Sequence, residues 1–101
     1  MALDGRLSAA AELVTPGGFL VDVGTDHGYL PVYLAKEGKI RGALATDVNL
    51  QPLQSAEGNI AAAGVAEKVK TQLADGLTGV SLEGVTDLVL AGMGGMLIAE
   101  I

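Results

Sequence analysis

The stretch FLVDVGTDHGYLP, residues 19–31, decides how this chain is read. Residues 19–23 are a short apolar run between Pro16-Gly17-Gly18 and Gly24, the pattern of a parallel strand buried on both faces. Asp22 interrupts it near the C-terminal end. A carboxylate there is costly to desolvate unless donors or a cation reach it, so Asp22 points to a ligand or a loop amide close by. Gly24 and Gly28 lack Cβ, which permits unusual backbone angles and a close approach to the chain, and the helix that follows offers free amides. Strand, glycine turn and helix together read as a cofactor-binding turn.

Working outward, Leu3, Leu7, Ala10 and Val14 recur at helical spacing before the turn signal Thr15-Pro16-Gly17-Gly18, which predicts an amphipathic helix ahead of the first strand. A second helix runs through Leu30, Tyr33 and Leu34 to Gly38, with Pro31 tolerated in its first turn. Residues 42–46 form a small-residue strand ending at Asp47. Asn49 can cap a third helix whose inward stripe is Leu53, Ala56, Ile60 and Ala63, closed by Gly64. Residues 69–73 alternate as a strand leading to Ala74-Asp75-Gly76, residues 77–84 are loop, and 87–91 are a fourth strand emptying into Gly92-Met93-Gly94-Gly95. Residues 96–101 are expected to begin a fourth main helix. Asp87, Glu57 and Glu67 read as solvated surface.

Strands alternating with helices at this spacing imply right-handed βαβ units and an α/β fold with a parallel sheet in the order 3-2-1-4. Ligands of such sheets lie across the carboxyl ends of the strands near the switch point. The segments 22–28, 47, 75–76 and 91–95 all fall there, one for each strand. The fourth strand as read lacks a later partner, so an open edge and a fragment of a longer protein are expected, with a homodimer through that edge as one way to cover it.

The chain has 101 residues, half of them apolar, enough for one domain. No run approaches the roughly twenty apolar residues of a membrane span, and residues 1–8 do not resemble a secretory leader, so a cytoplasmic protein is expected. There is no cysteine and one histidine, which argues against a metal centre. The net charge of −6, with six scattered lysines and arginines, gives no electrostatic footprint for nucleic acid.

Residues 24–28 supply two glycines where a dinucleotide site wants three at GxGxxG spacing, which weakens a nicotinamide reading. An acidic residue followed by glycines, Asp22-x-Gly24-x-x-x-Gly28, fits the methyltransferase variant of the turn, with Asp26 standing where a middle glycine is usual. S-adenosylmethionine carries an ammonium and a sulfonium in place of a pyrophosphate, and a carboxylate-rich turn suits it. Asp22 and Asp26 can face its cationic end, Asp47 the ribose hydroxyls, and Asp75 the adenine amino group between Leu50 and Leu77.

These residues carry a resemblance. DVGTDHGYLP (22–31), DGL (75–77) and AGMGG (91–95) followed by Leu97-Ile98 resemble the bacterial tRNA adenine-N1 methyltransferases that modify adenine 22, over nearly the whole chain. The resemblance implies a Rossmann-like class I methyltransferase domain over 1–101, ending before the later strands and a helical C-terminal domain that helps hold the tRNA. It implies S-adenosylmethionine binding by Asp22, Gly24, Thr25, Gly28, Asp47, Val48, Asp75, Gly76 and Ala91. A catalytic face is implied at Asp26, His27, Tyr29, Gly92, Met93 and Gly94, with tRNA held mainly by the full-length protein. Adenine N1 has its own lone pair, so the transfer needs positioning more than a base. Asp26 or His27 can accept from the adenine amino group, and Tyr29 can stack on a base turned outward.

Each of these residues also has a plainer alternative. Asp22 and Asp26 can cap loop amides, His27 can be an ordinary helix-start residue, Tyr29 and Tyr33 can be packing, and Asp47 and Asp75 can be cap and turn residues. At the level of function, a nicotinamide-dependent oxidoreductase and a non-catalytic nucleotide-binding or protein-interaction module remain as alternatives.

Overall fold

The computed structural model describes residues 5–92 and 95–101. Its elements run α1 (Gly5–Leu13), β1 (Phe19–Val23), α2 (Tyr29–Lys36), β2 (Gly42–Asp47), α3 (Leu50–Ala63), β3 (Val69–Leu73), β4 (Asp87–Gly92) and β5 (Gly95–Glu100). One sheet in the order β3-β2-β1-β4-β5 carries them. Strands β3, β2, β1 and β4 are parallel, in the expected order, and set Asp22 opposite Ala45 on one side and Val89 on the other.

Local chemistry accounts for the boundaries. Helix α2 starts after Gly28, which takes the left-handed conformation (φ 73°), and Pro31 sits in its first turn where no helical amide is lost. Helix α3 ends at Gly64, also left-handed, whose N–H donates to the Ala61 carbonyl while Val65 donates to Ile60. Asn49 occupies the N-cap position of α3, but its side chain makes no capping bond. Its backbone N–H donates instead to Asp47 Oδ1, 3.0 Å away. Leu20, Leu30, Val32, Leu34, Ile40, Ala43, Ala45, Ile60, Val69 and Val89 close the core where α1, α2 and α3 meet the sheet.

Three expectations are corrected. Residues 96–101 do not begin a helix: β5 pairs antiparallel with β4, Leu90 opposite Leu97 and Leu88 opposite Ala99. A six-residue helix gains little from its own hydrogen bonds, whereas an apolar segment laid along β4 satisfies that strand's unpaired amides and carbonyls. The β4 edge is therefore covered within the chain, and the outer strand on that side of the sheet is β5. Finally, Asp87 is not surface but completely buried. Its Oδ1 accepts from Thr15 N–H (3.2 Å) and the Thr86 hydroxyl (2.7 Å), and its Oδ2 accepts from the Thr15 hydroxyl (3.1 Å). Glycine at position 18 is required beside this cluster, because a Cβ there would lie 2.1 Å from Thr86 Oγ1.

Candidate functional site

The carboxyl ends of β1 and β2 bring three acidic residues together. Asp22 is the least exposed of them. It accepts a 2.8 Å hydrogen bond from the Thr25 hydroxyl at Oδ2. Burial pushes its carboxyl up to about 7; the Thr25 hydrogen bond pulls down against that, and the neighbouring Asp47 charge adds a smaller upward push. The donor demanded by a buried carboxylate is thus a turn side chain, and no cation stands beside it among the described residues.

The turn after Asp22 is closely tied. Gly24 N–H and Thr25 N–H both donate to the Thr46 carbonyl, at 3.0 and 2.9 Å, and Gly28 N–H donates to Thr25 O at 3.1 Å. Asp26 N–H donates to Asp47 Oδ2 at 3.2 Å. Gly24 adopts φ 73°, and Asp26 is the one non-glycine residue with positive φ among the described residues, 59°. That angle explains why glycine is usual at this position: an L residue pays strain there, and aspartate is among the few side chains that tolerate it. Gly28 also has a packing reason to be glycine. A Cβ on it would sit 2.9 Å from Ala56 Cβ, so its smallness lets α3 pack against the turn.

Asp47 is buried at the end of β2. Each of its carboxylate oxygens accepts one backbone N–H, from Asn49 and Asp26, and each retains a lone pair for a further donor. Ala74 N–H donates to the Asp47 carbonyl at 2.9 Å, which draws the end of β3 to the same place. Beyond it Asp75 is exposed, in a turn closed by Thr78 N–H on its carbonyl, with Gly76 at φ 60°. Val48 and Leu50 are exposed beside Asp47, and Leu77 is half-buried, leaving apolar surface where a ring could lie. Ala91 and Gly92 end β4 in register with Met96 and Gly95; Met93 and Gly94 lie outside the described residues.

His27 is half-buried and faces α3. Its Nδ1 is 2.8 Å from Ser55 Oγ, its backbone carbonyl accepts from Asn59 Nδ2 at 2.8 Å, and its Nε2 lies 3.6 Å from Asp26 Oδ1. The imidazole is 5.2 Å from the Tyr29 ring, which is 42% exposed and free to meet a second ring, whereas Tyr33 packs on the core. Asp26, His27, Gln51, Pro52 and Ser55 line a cleft of about 330 Å³. Two clefts of about 340 Å³ lie elsewhere, one lined by Ser8, Tyr33 and Lys39 and one by Glu57, Ile60 and Thr71; neither borders the strand ends that carry the acidic residues.

Ser55 and Asn59 escaped the sequence reading. Their spacing on one side of α3 is the signal that could have revealed them, since i and i+4 residues flank the inward Ala56.

The residues fit an adenosyl amino-acid ligand. Carboxylates stand at the ends of β1 and β2 and just beyond β3, and none of the six lysines and arginines lies in 22–28, 47–49 or 74–76 to meet a diphosphate. A family model described as a methyltransferase domain matches residues 3–101. The chain belongs to the methyltransferase domain family. This methyltransferase domain is 34% identical, over all of its 101 residues, to the tRNA (adenine(22)-N(1))-methyltransferase of Bacillus subtilis, 42% of whose length it spans. Among solved structures it resembles a Streptococcus pneumoniae protein described as a candidate tRNA (m1A22) methyltransferase, in complex with S-adenosyl-L-methionine. The identity is 40% and the TM-score 0.85, covering 92% of this chain and 44% of that one. The B. subtilis m1A22 tRNA methyltransferase structure gives 31% identity and a TM-score of 0.85 over 92% of this chain and 40% of that one. The methyltransferase domain therefore spans less than half the length of these relatives.

Proposed function

We propose that this methyltransferase domain binds S-adenosylmethionine across the carboxyl ends of β1, β2 and β3. As the cofactor-binding part of a longer cytoplasmic protein, it serves methyl transfer to N1 of an adenine in tRNA. The observation that carries this reading is the tied turn at 22–28, which holds Asp22, Asp26 and Asp47 together with no basic residue in the same segments. Asp47 accepts the ribose hydroxyls, Asp22 faces the ammonium of the methionine part, and Asp75 lies within reach of the adenine end. When bound, the cofactor supplies an electrophilic methyl group.

The remaining work is positioning. Adenine N1 attacks through its own lone pair, so the protein's task is to hold the base in line and to accept from the amino group as positive charge spreads over the ring. Asp26 is exposed and supplies that acceptor; Tyr29 supplies a face for stacking. A base whose N1 is paired or stacked in RNA has to be turned outward to reach them. The acidic balance of the domain gives no grip on phosphates, so the RNA is held by the part of the protein that its relatives possess beyond this length.

Titration with S-adenosylhomocysteine by calorimetry tests the reading. Binding is expected in the wild type, with affinity at least about tenfold lower in Asp47→Ala, the loss of one pair of charge-assisted hydrogen bonds. A folded wild type that binds NADH and not S-adenosylhomocysteine would overturn it.

A further inference from the structure

We infer that Ser55, together with Asn59, is a positioning residue that holds the His27 ring with Nε2–H turned toward Asp26, which leaves Asp26 as the acceptor at the substrate face. The inference rests on the reading of residues 26–29 as that face, and it divides two roles that the sequence leaves open between Asp26 and His27.

Three contacts carry it. Asn59 donates to the His27 backbone carbonyl, fixing the residue's main chain against α3. Ser55, four residues earlier and so one turn away on the same helix, meets Nδ1 at 2.8 Å and fixes the ring. The ring so held points Nε2 at Asp26 Oδ1, 3.6 Å away. A neutral imidazole carries one proton, and the nitrogen facing a carboxylate is the one that keeps it. Nδ1 is then an acceptor, and the Ser55 hydroxyl, able to donate or accept, donates to it. A histidine in this state has no free lone pair to offer an adenine amino group. Its part is to steady the Asp26 carboxylate, whose residue already sits at a strained φ of 59° with its N–H spent on Asp47. Ala56, packed against Gly28 between the two polar residues, makes α3 the backing of the whole turn.

The chain has one histidine, so its imidazole signals need no assignment. Long-range proton–nitrogen spectra of ¹⁵N-histidine-labelled protein are recorded where those spectra show the ring to be neutral. The wild type is expected to show Nε2 protonated and Nδ1 with the shift of a hydrogen-bonded acceptor, with cross-peaks from the imidazole to the Tyr29 ring. Ser55→Ala is expected to give Nδ1 the shift of an unbonded nitrogen while Nε2 keeps its proton, because Asp26 selects the tautomer and the Ser55 hydroxyl holds the ring. Ser55→Thr restores the wild-type pattern. A wild type protonated at Nδ1, or a Ser55→Ala spectrum identical to wild type, would overturn the inference. If Ser55→Ala does not fold, the wild-type and Ser55→Thr spectra decide it alone. S-adenosylhomocysteine titrated into the same samples keeps the two readings apart. Binding that survives Ser55→Ala while the imidazole changes supports a substrate-side role; absence of binding with the imidazole pattern intact removes the cofactor reading and leaves the Ser55 contact standing.

Discussion

If Asp22 pairs with the cofactor's ammonium as proposed, its burial makes cofactor affinity depend on pH in a definite direction. Burial holds its folded value near 7 against an ordinary value of 3.8. A cationic ammonium pairs with the carboxylate and not with the carboxylic acid, so binding has to expel a proton wherever the free protein holds one. A group with a pKa near 7 is ionised in about 3% of molecules at pH 5.5 and about 75% at pH 7.5, so affinity for S-adenosylhomocysteine should rise roughly 25-fold between them. The free protein runs the other way. Because the folded value is raised, the stabilising contribution is complete below the unfolded value and is lost as pH climbs from about 4 through about 7, a change of order 4 kcal/mol at most. Calorimetry at pH 5.5, 6.5 and 7.5, in two buffers of different ionisation enthalpy, reads both the affinity and the protons released; urea titration at the same pH values reads the stability. Asp22→Asn keeps an acceptor for the Thr25 hydroxyl and should flatten both curves. Wild-type affinity that does not change over this range, or an equal slope in Asp22→Asn, would refute the reasoning.

Two further substitutions test the frame. Asp87→Ala leaves two hydroxyls and one backbone N–H near a buried, emptied site, and should cost about 3–5 kcal/mol in urea unfolding; a loss under about 1 kcal/mol would mean that water replaces the carboxylate freely. Gly28→Ala combines a positive φ with a Cβ 2.9 Å from Ala56 and should cost about 2–4 kcal/mol, lowering the thermal midpoint by about 10–20 °C by circular dichroism; an unchanged midpoint would show that α3 yields.

The strands and the turn were legible because their punctuation is local. Pro16-Gly17-Gly18, Gly24 and Gly64 each mark an end within a few residues of the run they close, and the alternation of elements then fixes the strand order. Asp87 was misread because nothing near it in sequence announces its partners; Thr15 is 72 residues away and meets it only once the sheet is assembled. The run 96–101 is apolar and short, a pattern that helix and strand share, and the exposed backbone of β4 decides between them. At the site, the acidic residues stood out because carboxylates are unexpected at the ends of apolar strands. The backing of His27 by Ser55 and Asn59 did not, since serine and asparagine on a helix ordinarily face water.

The hydrogen bonds of the turn also say what it refuses. The N–H groups of Gly24, Thr25, Asp26 and Gly28 are all spent inside the protein, on Thr46 O twice, on Asp47 Oδ2 and on Thr25 O. A glycine-rich loop that grips phosphate does so by turning such N–H groups outward toward the anion. Here those four donors are already taken, and the exposed side chain of the same segment, Asp26, is an acid. A nucleotide diphosphate would find these four N–H groups taken and no lysine or arginine in 22–28, so the backbone of the turn disfavours a phosphate-bearing ligand before any side chain touches it.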